Sequence, residues 1–86
     1  MYKINKGFIM QKMDKGILIF DPDSSTMHSL NTIGSFIFTK LKKGLGEDEI
    51  CQMLVEKYLI NRKVAEKDFK EFLKELIELK IVEKVG

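Results

Sequence analysis

With 86 residues, 44% of them hydrophobic and 33% charged, the chain has room for one domain and one modest core, burying roughly 60–65% of its unfolded surface. No apolar run approaches the ~20 residues of a membrane span, and the N-terminal "MYKINKGFIMQKMDKG" has no signal-peptide apolar region, so a cytoplasmic chain is expected. The net charge of +2 is unevenly divided, because residues 1–45 carry seven Lys against three Asp and residues 46–86 carry eight basic against ten acidic side chains; the N-terminal half suits an acidic partner better.

The runs "GFIMQKM" and "GILIF" flank "DKG", a turn-forming triplet, and read as a β-hairpin. After "DPDS", where Pro22 presets a type I turn and the Asp21 side chain can cap it, "STMHSL" reads as a third antiparallel strand. From Asn31 the period changes. Ile33, Phe36, Ile37 and Leu41 form one helical stripe, with Ser29 or Asn31 as N-cap, Gly44 just past the end and Phe38 alone off the stripe.

A second helix starts near Glu47, its acidic first turn suiting the helix dipole, and carries Ile50, Met53, Leu54 and Tyr58 inward to an end near Leu59. The third, over residues 64–79, gathers Phe69, Phe72, Leu73, Leu76 and Ile77 on one face. Lys67, Lys70 and Lys74 share one flank of it, and Glu71, Glu75 and Glu78 lie farther round. The closing "KIVEKVG" either pairs as a strand or simply packs.

Little in the chain points to catalysis. Cys51 is the sole cysteine, which rules out an intramolecular disulfide and a CxxC metal knuckle; at the edge of an apolar arc it reads as core. His28 is the sole histidine and has no second His or Cys near in sequence, which leaves it a strand-surface or peptide-contacting role. The glycines are scattered, and "GLG" links two helices instead of following a strand, so a phosphate loop is not expected. No catalytic residue, metal ligand or cofactor is assigned.

A winged-helix nucleic-acid binder is the alternative from a different functional class. It requires a basic recognition helix, whereas residues 64–80 hold four Lys against five acids and no Arg. Nucleic acid is therefore not the expected partner.

Residues 24–39, "SSTMHSLNTIGSFIFT", contain no charged side chain, which random placement would produce at a given site about twice in a thousand trials. Helix burial accounts for the second half. The first half would be the edge strand of a three-stranded meander, and edges are normally guarded by charge, Pro or cover. An edge left unguarded suits β-augmentation by an extended peptide. Four or five main-chain hydrogen bonds at about 0.5–1.5 kcal/mol each contribute roughly 2–7 kcal/mol, short of the ~8 kcal/mol of micromolar affinity. Apolar anchors must supply the rest. Leu73 and Ile77 are the expected walls of a cleft beside the edge, with Lys67, Lys70 and Lys74 available to acidic ligand residues.

Leu30-Asn31-Thr32 with Phe36-Ile37, then Glu49-Ile50, Leu54 and Tyr58, then Val64, Asp68-Phe69, Phe72-Leu73, Leu76 and Ile81-Val82, resemble the PqqD family, named for the small protein D of pyrroloquinoline quinone biosynthesis. The match runs over residues 7–82 and lies in spacing and residue type. The resemblance implies a three-stranded sheet with three helices that binds the leader of a ribosomally made precursor peptide as a fourth strand, between the third strand and third helix. It also implies presentation of that peptide to a modifying enzyme or leader peptidase. Gly34, where Ala is common, and the short basic loop "INRKVAEKD" depart from the family pattern.

The expectation is thus a free-standing, single-domain (residues 1–86) α+β, winged-helix-like, non-catalytic adaptor. Ser25, Thr26, Met27, His28, Ser29 and Leu30 supply its edge, and Lys67, Lys70, Leu73, Lys74 and Ile77 its cleft. Alternation sends every second strand side chain toward the cleft, and both parities contain suitable contacts. The adaptor is expected to be a monomer or a homodimer, the latter pairing its own open edges with help from Phe38.

Overall fold

A computed structural model describes residues 2–85. Their order is β1 (Tyr2–Ile4), β2 (Ile9–Met13), β3 (Gly16–Asp21), β4 (Thr26–Leu30), α1 (Thr32–Lys42), α2 (Glu47–Tyr58), α3 (Arg62–Glu78) and β5 (Val82–Lys84). The expected meander is the sheet β2-β3-β4, antiparallel throughout, and the three helices follow it in an α+β arrangement.

Each turn has its chemistry. Asp14 and Lys15 alone separate the paired Met13 and Gly16. Between β3 and β4 the Asp21 carboxylate accepts from the Asp23 N–H at 3.0 Å and from the Ser24 hydroxyl at 2.9 Å, the cap expected of it. Ser25 closes this turn at φ +55°, so it precedes the extended edge instead of forming part of it.

Among the expected N-caps it is Asn31, whose side chain accepts from the Gly34 N–H at 2.7 Å. At the far end of α1, Gly44 takes φ +86° while its N–H and that of Leu45 close on the Leu41 and Lys40 carbonyls, a Schellman stop. α3 ends the same way with Lys80 at φ +62°, and Ile81 folds back so that its N–H meets the Leu76 carbonyl at 3.0 Å. Asn61 caps the start of α3 through its side chain. Its first residue, Arg62, pairs with Asp48 of α2 and with Glu66.

One sheet was not legible. β1 pairs antiparallel with β5, Ile4 opposite Val82, and the Asn5 amide hydrogen-bonds the Lys80 carbonyl at 2.7 Å. The closing segment therefore pairs as a strand, joining the two ends of the described chain. Tyr2 packs edge-on to Phe69, ring centroids 6.5 Å apart.

The core joins Ile17, Ile19 and Leu30 of the sheet to Ile37, Phe38 and Leu41 of α1, Ile50, Cys51 and Leu54 of α2, Phe69 and Leu76 of α3, and Ile81 and Val82. α1 packs against β1, β3, β4 and α2, so it needs an apolar arc wider than one stripe. Phe38 is fully buried as a result and is unavailable to a dimer contact. Met53 and Tyr58 are only half-buried, because α2 lies at the outside of the helical layer. Cys51 is core, and burial holds its thiol above its usual range.

Ile81 is fully buried where the terminal sheet meets α3. Ile81→Ala is expected to cost about 2–5 kcal/mol and to lower the Tm by more than about 8 °C. A thermal melt within a degree or two of wild type would show that β1–β5 closure is not part of the cooperative unit. Native protein should leave Cys51 unreactive toward Ellman's reagent until denaturant is added; immediate stoichiometric reaction would contradict its burial.

Candidate functional site

β4 has β3 on one side and no strand partner on the other among the described residues. Its register fixes the parity left open by the sequence. Leu30 lies opposite buried Ile17, and His28 opposite buried Ile19, so both face the helices. Met27, opposite Phe20, and Ser29, opposite Leu18, occupy the other face of the sheet, and Met27 is 63% exposed. Thr26 lies on the His28 side, its hydroxyl 3.5 Å from His28 Nε2.

The polar side chains at the start of β4 do not form a catalytic array. Asp21 contacts the Ser24 hydroxyl, and Ser24 the Thr26 hydroxyl at 2.6 Å; the carboxylate does not orient the imidazole, as a triad requires. No group of three or more potential metal ligands occurs among the described residues. The chain of hydroxyls braces the β3–β4 turn and the entry to the edge.

Where β4 ends, the protein opens into a depression of about 260 Å³ lined by Asn31, Ile33, Gly34, Ile37, Asp68, Glu71, Phe72 and Glu75. One wall is the first turns of α1, the other a face of α3. Gly34 lets these helices approach: a Cβ there would lie 2.7 Å from Phe72 Cε1 and 3.2 Å from the Asn31 side-chain oxygen. Phe72 thus occupies the space that a methyl group at position 34 would take.

The remaining expected cleft residues point elsewhere. At 100° per residue, Lys67, Lys70, Lys74 and Ile77 lie about 140–160° around α3 from Phe72. Lys67 and Lys70 line a separate shallow hollow with Lys63, Glu66 and Glu71, and Lys74 is exposed. Leu73 is nearly buried in the core, and Ile77 is 39% exposed. The depression thus gathers Phe72 and three carboxylates of α3 around Asn31, the residue that follows β4. Sequence reasoning passed over Asp68, Glu71 and Glu75; their grouping about Phe72 was visible in the helical spacing, but the side of α3 that meets α1 was not.

An unpaired edge strand is a surface to which an extended peptide can add as a further strand. The chain belongs to the PqqD family: the family model described as Coenzyme PQQ synthesis protein D (PqqD) matches residues 16–82. Two solved structures share its fold. TbiB1 in complex with the TbiA(beta) leader peptide is 24% identical, covers 98% of both chains and superposes with a TM-score of 0.87. A lasso peptide synthetase B1 complexed with the leader peptide is 22% identical, covers 96% of this chain and 98% of its own, and gives 0.88. No curated protein sequence matches the chain significantly. Among the described residues no helix is long and apolar enough to cross a membrane.

Gly34→Ala is expected to displace the Phe72 ring, visible as shifted aromatic NMR resonances, with a loss of about 1–3 kcal/mol in stability. Unchanged resonances and an unchanged melt would show that the close approach of α1 and α3 is not tight.

Proposed function

We propose that this protein is a non-catalytic adaptor that binds the leader region of a ribosomally synthesised precursor peptide and presents it to a modifying enzyme or leader peptidase. The peptide adds as a strand along the free edge of β4. The observation that carries this reading is the uncharged, unpaired edge ending at a depression floored by Ile33, Ile37 and Phe72. Main-chain pairing supplies register and part of the affinity, and an apolar peptide side chain over Phe72 supplies the anchor. Membership of the PqqD family and the leader peptides bound by both structural neighbours support it.

The charge of the depression sets the class of peptide. Asp68, Glu71 and Glu75 line it and no basic residue does, so the segment that fits carries Lys or Arg beside its apolar anchor. The same carboxylates repel phosphate, which disfavours the nucleic-acid alternative at this site.

Adjacent strand residues point their N–H groups to opposite sides, so of Thr26→Pro and Met27→Pro one removes a donor to the peptide and the other a donor within the sheet. The variant that keeps the native circular dichroism spectrum is expected to lose about tenfold in affinity for the precursor peptide encoded beside the gene. Normal binding by both would rule out strand addition. Glu71→Lys with Glu75→Lys should weaken binding about three- to tenfold at low salt, with the difference shrinking near 1 M salt. Lys70→Glu with Lys74→Glu should leave it within about twofold; the reverse ranking would place the peptide on the basic flank of α3.

A further inference from the structure

A second concave surface lies at the other edge of the sheet, where β2 meets the C-terminal half of α1. Met10 supplies most of its accessible apolar lining, over Ile17 and the buried Phe38, and Lys12, Lys42 and Lys43 stand around it with Thr39, enclosing about 400 Å³. Lys12 is opposite Ile17 in the β2–β3 register, which puts it on the helix-facing side of the sheet and over the hollow. The adjoining surface continues the charge with Lys15, Lys40 and Lys57, against the single acid Asp14. Among the described residues none of these lysines is in an ion pair; the ion pairs belong to Arg62.

Part of this charge has a local use. Lys40 and Lys42 stand in the last turn of α1, where cations complement the helix dipole, and Lys40 and Lys57 lie 5.2 and 5.1 Å from the Phe36 ring centroid. Lys43, the C-cap of α1, shares the dipole role; neither use accounts for Lys12, on the rim of an apolar hollow whose three lysines, with three more on the adjoining surface, repel one another unless a partner neutralises them.

We propose that this hollow is a docking surface for an acidic protein segment bearing an apolar side chain, on the enzyme that acts on the bound peptide. The apolar floor takes the anchor and the lysine rim takes the flanking carboxylates. Its position argues for that enzyme: the surface passes without a break from Lys12 and Ile17 through Gly16 to Leu30 and Asn31, and Asn31 lines the peptide depression. A partner seated on the lysines thus reaches the end of β4 without covering its edge. The two sites also have opposite charge, so a basic peptide and an acidic enzyme do not compete for one surface. This proposal rests on the adaptor reading for its choice of partner.

The test uses a short fluorescein-labelled peptide of Asp and Glu flanking a Leu-Phe pair, titrated into the full chain by anisotropy. The precursor peptide encoded beside the gene is titrated in parallel. The acidic probe is expected to bind wild type, to lose about tenfold on Lys12→Glu/Lys42→Glu/Lys43→Glu, and to lose less than about twofold on the control Lys63→Glu/Lys67→Glu/Lys70→Glu. Replacing Leu-Phe by Ser-Ser in the probe should weaken it about fivefold or more. Native melts of both triple variants exclude unfolding as the cause. No binding of the probe, equal losses in the two triple variants, or tighter retention of duplex DNA than of the probe would overturn the proposal. Precursor binding that survives while the probe fails refutes the docking surface alone; probe binding without precursor binding refutes the adaptor reading and leaves the surface as an acid-binding site.

Discussion

The candidate site depends on the one-residue junction between β4 and α1. Leu30 ends the strand, Thr32 begins the helix, and Asn31 between them caps α1 by accepting the Gly34 N–H. The Leu30 carbonyl is held from two sides, by the buried Ser35 hydroxyl at 3.2 Å and by the close approach of Gly16, where a Cβ would come within 2.1 Å of it. Such a junction has no slack. It fixes the angle between the edge strand and α1, and Gly34, one turn in, then seats the Phe72 ring of α3. The free edge and the depression meet at this junction, and the uncharged residues 24–39 run through it, their second half contributing Ile37 and Phe38 to the core.

Charge is partitioned in space more sharply than in sequence. The chain divides into a basic N-terminal and a mildly acidic C-terminal half, and folding places the lysines of β2, the β2–β3 turn and α1 around one hollow and three carboxylates of α3 around another. α3 itself is two-sided, with its lysines turned away from the depression. A helix with near-zero net charge can thus present a wholly acidic wall, which net charge alone conceals.

Elements with their own local signals were legible. The hairpins were announced by Asp14, Gly16, Asp21 and Pro22, the helices by their stripes and by Asn31, Gly44 and the acidic turn at Glu47. β1 was missed because the alternation of Tyr2, Lys3 and Ile4 is too short to mark a strand and its partner lies some eighty positions away; such pairing is a tertiary fact. Phe38 was misplaced because a stripe describes a helix packed on one side, whereas α1 packs on several. An uncharged edge is visible in sequence, but which flank of α3 meets α1 depends on where Phe72 packs on Gly34, and spacing on a single helix does not contain that contact.

The most direct test is amide-resolved hydrogen exchange and NMR of the protein titrated with its precursor peptide. The account predicts newly protected amides within residues 26–30 and shifts at Ile33, Gly34 and Phe72, with Lys67, Lys70 and Lys74 unmoved. Edge amides that are already protected in the free protein, with no change on adding peptide, would mean that the edge is satisfied by another copy of the chain and would contradict it.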